Sequence, residues 1–300
     1  VDQSTASYAG RFGGSPKDCI KGTRKPVQKC LFDVRIARVP LNPDLVTQER
    51  HQRILERAVT HGVARTRDLA HEFGVHEMTV RRDMDALEEQ GLLERVHGGA
   101  RIVQEMSQEV AYSLRAARQT LEKTRIARAA LQLIQDRETV AIDSSTTGLA
   151  LVRMLGAKKN VHAIVTGLDA ANALAITGVS FTLMGGTYHA PARSFVGSVF
   201  SAGLKRFNPD HVFFSSKGFM PAHGFTDAHL PEVEAKEQLI LAAANKVALL
   251  DHTKFGVRAA HTILETDGVN TVITDAPPSP EVRSSLKQAG VKLLIAKENA

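Results

Sequence analysis

The sequence predicts an α/β chain in two parts. A small N-terminal winged helix-turn-helix is joined to a larger domain with a mostly parallel sheet flanked by helices. Three observations predict it. Residues 63–100, VARTRDLAHEFGVHEMTVRRDMDALEEQGLLERVHGGA, hold two short helical patterns about a tight turn and then a hairpin. From residue 139 onward, short β-rich runs alternate with helical ones, the order that gives a parallel sheet covered on both faces. The chain of 300 residues, 43% of them hydrophobic, has room for two cores, yet no apolar run is long enough to cross a membrane.

Residues 1–44 are rich in Gly, Ser, Pro and charge and carry no sustained period, which predicts disorder. With eight Lys or Arg against four Asp and no apolar secretory core, they read in one of two ways. One is a basic tail that adds unspecific attraction to phosphate; the other is a start placed too early, the native chain then beginning near Leu45 or Val46. Both cysteines, Cys19 and Cys30, fall in this stretch. No disulfide framework or metal-ligand spacing results, which fits a reducing cytoplasm, and no cofactor is expected.

Residues 47–61 predict a first helix, with Thr47 as its cap and Ile54, Leu55, Ala58 and Val59 turned inward. In the helix-turn-helix at 64–83, Leu69, Ala70 and Phe73 take the buried side of the first short helix. Gly74 then stands where the turn needs a positive φ. Val80, Met84 and Leu87 recur at helical spacing and face inward, leaving Thr79, Arg81 and Arg82 on other faces. Glu77 lies in the first turn, where orphan amides favour a carboxylate. The segment LLERVHGGARIV then reads as two strands joined around Gly98 and Gly99, with Arg95, His97 and Arg101 as the polar residues of a wing.

Charge alone is weak evidence against a nucleic-acid partner. The net charge is +6, but residues 45–103 carry nine basic against ten acidic side chains. A positive field there has to come from arrangement, with Asp85, Glu88 and Glu89 on the later helical turns. An isolated arginine pair is more often a solvated helix surface, and His97 or the Gly98-Gly99 pair alone would be a surface histidine and a turn. The joint pattern is what favours duplex DNA.

Residues 103–120 are polar and read as an interdomain linker, ahead of a second domain over 121–297. That domain opens on a helix with Ile126, Ala130, Leu133 and Ile134 on one side. Its strands are the runs at 139–143, 161–166, 179–185, 211–216, 246–251, 271–275 and 291–296. In such sheets ligands bind at the carboxyl ends of strands. The candidate residues are therefore Asp143, Ser144, Ser145, Thr146, Thr147 and Gly148 after the first run, Gly167 after the second, and Gly185 and Gly186 after the third. Lys217 follows the fourth run, Asp251 and Lys254 the fifth, and Lys236 joins from a helix. Hydroxyls and amides at a helix start favour phosphate, the lysines supply countercharge, and Asp251 can accept from sugar hydroxyls. Each loop also has a plainer explanation, since a Ser/Thr cluster often only caps a helix and a Gly pair only makes a turn.

Residues 47–102 resemble the winged helix-turn-helix of the DeoR family of bacterial transcription regulators. The family pattern LA..F.VS..T(I/V)RRDL..LE..G.L.R.HGGA stands here as LAHEFGVHEMTVRRDMDALEEQGLLERVHGGA. His76 replaces the family's Ser at the start of the second helix, which predicts the loss of a cap worth about 1 kcal/mol. The second domain resembles the family's C-terminal domain. DSSTT, TG, GG, Gly224-Phe225-Thr226, Lys236, DHTKFG and Ile273-Thr274-Asp275 recur in the family's order, so the similarity spans residues 47–296. Ser145 stands in place of the glycine of D.GTT, which would hold a bound phosphate farther from the backbone.

The resemblance implies a fold related to ribose-5-phosphate isomerase. It also implies a cytoplasmic DNA-binding regulator, most often a repressor of a carbohydrate-metabolism operon, whose operator affinity responds to a phosphorylated sugar or related intermediate. Base contacts are then expected from Glu77, Met78, Thr79 and Arg82. Arg81, His97 and the wing backbone at Gly98 and Gly99 would hold phosphates, with Thr66 completing the DNA-facing set. No catalytic or metal-binding residue is expected. Two other functions are compatible with parts of the pattern: a sugar-phosphate isomerase using Asp143 or Asp251 as base, and a scaffold whose second domain only oligomerises. The first lacks a second acid at suitable spacing and leaves the DNA module without purpose. Because one reading helix covers one half-site, at least a homodimer is expected.

Overall fold

The computed structural model describes residues 43–104 and 107–297. The expected tail lies outside them up to residue 42, both cysteines included. Helix α1 (Pro43–His61) starts earlier than the Thr47 cap expected from the sequence. It buries Ile54 and Ala58, while Val59, one residue further round the helix, stays exposed rather than turned inward. After it come β1 (Ala64–Arg65), α2 (Thr66–Phe73), α3 (Glu77–Glu89), β2 (Leu93–Val96) and β3 (Gly99–Ile102). Gly74 ends α2 at φ +64°, and Gly74, Val75 and His76 make the three-residue turn into α3. The apolar spacing sets the core directly: Ile54, Leu69, Val80, Met84, Leu87, Leu93 and Ala100 form one buried cluster drawn from every part of the module except the turns.

Two features of this module were not anticipated. Strand β1 adds to the hairpin to give the order β1-β3-β2. It comes so close that a side-chain carbon at Gly99 would sit 2.2 Å from the Ala64 carbonyl oxygen, so the second glycine of HGGA is a packing requirement. The other is the partner of Asp83 in the RRD motif. Its buried carboxylate accepts from Arg50 Nε at 2.8 Å and Nη2 at 3.1 Å, fastening α1 to the inner face of α3. Asp83→Asn is expected to cost about 2 kcal/mol, the range for a hydrogen bond to a charged group. Thermal unfolding followed by far-ultraviolet dichroism checks this, and an unchanged midpoint contradicts it.

The span 103–120, read from the sequence as a linker, is largely helical. Helix α4 (Ser107–Ala117) occupies most of the span and packs against both α1 and the 3-10 turn at Ala190–Ala192. Tyr112 and Leu114, too sparse among polar residues to make an obvious stripe, are buried by that contact.

The second domain follows as α5 (Thr120–Leu131), β4 (Thr139–Ile142), α6 (Thr146–Val152), β5 (His162–Val165), α7 (Leu168–Ala175) and β6 (Ser180–Leu183). Next come β7 (Thr187–His189), β8 (Ser194–Val196), α8 (Ser198–Leu204), β9 (His211–Phe214), β10 (Gly218–Met220), β11 (Gly224–Asp227) and α9 (Leu230–Ala242). The chain closes with β12 (Asn245–Leu249), β13 (His261–Leu264), β14 (Thr271–Thr274), α10 (Pro280–Gln288) and β15 (Lys292–Ile295). The seven expected strands form one parallel sheet in the order β15-β14-β12-β9-β4-β5-β6. Its two faces carry separate apolar clusters, one around Ile126, Ile142 and Leu249 and the other around Phe214, Phe219 and Phe225. The second cluster lies under a small antiparallel sheet β10-β11-β13, where the alternating pattern had suggested only helices. The strand order runs outward in opposite directions from β4 and β9, so the crevice at their carboxyl ends is the topological switch point.

Candidate functional site

The first site is the exposed front of α3. Met78, Arg81 and Arg82 project into solvent, Thr79 is half-buried beside them, and His97 and Gly98 lie exposed at the tip of the wing. Arg81 is held lightly, 3.4 Å from Glu77 one turn earlier. Arg82 has neither hydrogen bond nor ion pair with any described residue. Arg95 braces the wing against α3 through Asp85 and the Arg81 carbonyl oxygen. Other arginines of the module are paired with its acids: Arg57 with Glu72, Arg95 with Asp85 and Arg101 with Glu94.

Two expectations change here. Thr66 does not face outward: its hydroxyl is buried against Met84 Sδ, and its N–H donates to the Gly98 carbonyl oxygen at 3.0 Å. It ties the tip of the wing to the core. His76 also does not forfeit the cap, because its ring Nδ1 accepts from the Met78 N–H at 3.2 Å in the manner of the serine it replaces.

The second site is a cavity of about 550 Å³ over the carboxyl ends of β4 and β9. Of the expected residues, Ser144, Ser145, Thr146, Thr147, Lys217, Lys236, Asp251 and Lys254 line it. Asp143 lies beneath it, accepting from the Ser145 and Ser215 N–H groups at 3.1 and 3.0 Å. Gly148 and Gly167 pack under the rim, where a side-chain carbon would meet Asp143 or Ser144. Gly185 and Gly186 do not line the cavity: Gly186 instead makes room for the Val196 carbonyl oxygen where β7 pairs with β8. Ser145, in the place of the loop glycine, accepts from the Gly148 N–H at 2.9 Å and so caps α6. For that residue the plainer explanation holds.

Sequence reasoning missed six of the ten charged lining residues, Glu56 of α1 among them. Arg115 and Arg118 enter from the end of α4, Lys123 from α5, Asp227 from the end of β11 and Glu232 from α9. Glu232 accepts from Ser144 Oγ at 2.8 Å and from Ser194 Oγ, cross-linking three segments. Its spacing from Lys236, one helical turn, was the available signal. Six cationic and four acidic side chains line the space, so it favours an anion that also carries hydroxyls.

These charges are not equivalent. Lys236 is buried, yet Asp227 at 2.6 Å and Asp143 at 3.6 Å outweigh its desolvation and hold it protonated. Burial pushes the Asp227 carboxyl up, but Lys236 more than compensates and the net displacement is downward. Burial raises Asp143 against the opposing pull of Lys236 and its hydrogen-bond donors. Desolvation lowers Lys123 to about 8, with its ammonium donating to the Arg115 and Arg118 carbonyl oxygens. Desolvation and the neighbouring Arg115 lower Lys217 further, to about 7. On the rim, Arg118 Nε donates to Glu56 of α1 at 2.8 Å, so one cavity residue is fastened to the helix-turn-helix module.

Comparison with known proteins agrees with this division. Residues 50–106 match the family described as the DeoR-like helix-turn-helix domain, and residues 118–276 the DeoR C terminal sensor domain. The HTH-type transcriptional regulator IolR of Bacillus subtilis (strain 168) is 33% identical over 233 residues, covering 77% of this chain and 92% of its own length. The Glycerol-3-phosphate regulon repressor of Escherichia coli (strain K12) is 30% identical, covering 82% and 97%. Among solved structures, ribose 5-phosphate isomerase a from Methanocaldococcus jannaschii overlaps 46% of this chain and 55% of its own at 15% identity. Its TM-score is 0.36, too weak a likeness to bear on ligand or reaction.

Proposed function

The chain belongs to the DeoR family of bacterial transcription regulators, and from that premise we propose how its two sites work together. It is a DNA-binding regulator of carbohydrate metabolism rather than an enzyme. α3 reads the operator major groove through Met78, Thr79 and Arg82, with Glu77 at the same end. Arg81, His97 and the wing backbone hold phosphates. The cavity takes a phosphorylated sugar or a closely related intermediate. Its surplus of cations and the hydroxyls of Thr146 and Thr147 suit the phosphate, while Asp227 and Asp251 accept from sugar hydroxyls. The assembly is at least a dimer, since one α3 covers only one half-site.

The observation that carries this reading is the position of α4. It touches α1 on one side and delivers Arg115 and Arg118 into the cavity on the other. An anion near Arg118 competes with Glu56 for the guanidinium, so occupied and empty cavities favour different placements of α1. That unequal preference is what coupling between the sites requires. The reading is tested by sequencing DNA recovered with the purified protein, with and without a panel of sugar phosphates. A recurrent site that disappears with one of them supports it, and no site enrichment under any condition contradicts it.

Glu56→Gln is expected to release Arg118 to the anion, leaving operator affinity of the empty protein near wild type while weakening the response of operator binding to the ligand. An exposed ion pair of this kind carries about 0.4–1 kcal/mol, a roughly twofold to fivefold smaller response. Operator titrations with and without saturating ligand measure the ratio, and an unchanged ratio contradicts the role.

A further inference from the structure

Three of the lysines that line the cavity are already engaged. Lys236 is ion-paired to Asp227 and Asp143, Lys123 donates to two carbonyl oxygens, and Lys254 lies 3.9 Å from Asp251. Lys217 differs. Its backbone N–H donates to the Thr226 carbonyl oxygen at 2.8 Å, which fixes the loop. Its side-chain nitrogen, in contrast, has neither hydrogen bond nor ion pair with any described residue. It stands in the cavity among Arg115, Lys236 and Lys254, with Asp227 as the acid that faces it.

We infer that Lys217 is a covalent anchor for the carbonyl carbon of an open-chain sugar phosphate, held as a reversible imine while the neighbouring cations take the phosphate. The inference rests on the sugar-phosphate reading of the cavity and goes beyond the countercharge that reading gives Lys217. An amine that is largely desolvated and surrounded by cations is the arrangement that leaves a lysine unprotonated and nucleophilic. Burial first and Arg115 second bring this one to about 7, so a large share carries a free electron pair near neutral pH.

The chemistry balances without a further reactant. The nitrogen pair forms a C–N bond to the carbonyl carbon, the C–O π pair moves to oxygen, and the proton from nitrogen passes to that oxygen. The hydroxyl then leaves as water, taking the second proton from nitrogen in net terms, and the nitrogen pair closes the C=N bond. Amine and carbonyl give imine and water, with no change of oxidation state. Hydrolysis reverses the step and frees the sugar phosphate, as a sensing site requires.

The test uses the full chain with glyceraldehyde 3-phosphate, erythrose 4-phosphate and ribose 5-phosphate, each beside its carbonyl-free polyol phosphate. Thermal stabilisation reports binding. Sodium borohydride added to the complex, followed by peptide mass spectrometry, reports the bond. The expected result is a mass gain equal to an aldose phosphate less one oxygen atom, located on Lys217, absent with the polyol counterpart and lost by roughly tenfold or more in Lys217→Arg. Its yield rises as pH is raised through about 7, whereas simple pairing of an ammonium with phosphate weakens over that range. Binding of these phosphates with no adduct, or an adduct spread equally over surface lysines, overturns the covalent anchor and leaves the sugar-phosphate reading intact. Failure of every phosphate, carbonyl or polyol, to stabilise the protein overturns both.

Discussion

Arg82→Ala is expected to lower operator affinity roughly 10- to 100-fold, the discrimination carried by one good bidentate side-chain-to-base contact. Arg82 sits exposed in the first half of α3 with no described partner, so its removal breaks nothing inside the module and stability should move by less than about 0.5 kcal/mol. Arg81→Ala provides the internal contrast. Arg81 is tied back to Glu77, and its expected role is on the phosphates. Its loss should weaken binding to all duplexes alike and reduce the slope of log affinity against log salt by about one. Arg82→Ala should instead bring operator affinity toward that for unrelated DNA while leaving that background in place. Both variants should respond to a sugar phosphate in thermal stabilisation as the wild type does, because the cavity is built from other elements. Fluorescence anisotropy with operator and scrambled duplexes at physiological salt makes the measurement. An Arg82→Ala protein that keeps full operator affinity would remove the basis for assigning α3 as the reading helix.

What the sequence made legible was periodic or local. Val80, Met84 and Leu87 at helical spacing placed the buried side of α3, and Gly74 marked the turn, because both depend on residues within one or two turns of each other. The apolar runs located all seven strands of the parallel sheet, and their carboxyl ends led to Ser144, Lys217 and Asp251. Most of the charged lining of the cavity was not legible because it is assembled across long separations. Glu232 meets Ser144 across 88 positions, and Arg115 meets the Pro191 carbonyl oxygen across 76. Nothing in the pattern of a polar helix such as α4 says which distant loop it will cover. Glycines misled for a related reason. Gly185 and Gly186 fit a ligand loop in composition, but Gly186 is needed where a strand passes Val196. Composition alone cannot separate close approach to a ligand from close approach to another strand.

The largest loss of stability is expected from Lys236→Met. The side chain of Lys236 is 7% exposed, and the carboxylates it neutralises, Asp227 and Asp143, are 3% and 2% exposed. Replacing the cation with an apolar chain of similar length keeps the volume and strands two buried acids, a change that costs about 3–5 kcal/mol. At 2–4 °C per kcal/mol for a unit of this size, the melting midpoint should fall by roughly 6–20 °C. The pH dependence separates this cause from simple misfit. In the wild type, Lys236 brings Asp227 below its unfolded value, so that contribution is present at neutral pH and is lost as pH falls through the folded value. Without Lys236 burial, the largest influence on each carboxyl, is opposed only by their hydrogen-bond donors and, at Asp227, by Lys217, so both shift upward. Their charged forms then penalise the fold at neutral pH, and the penalty fades as each takes up a proton. The gap in midpoint between variant and wild type should therefore narrow as pH is lowered from about 8 to about 5. A gap that stays constant would assign the damage to packing, whereas a narrowing gap assigns it to the ion pairs beneath the cavity. On the ligand side, the same variant should bind sugar phosphates at least roughly tenfold more weakly at any pH at which it remains folded, because a buried cation has been lost from a site that needs a net positive field.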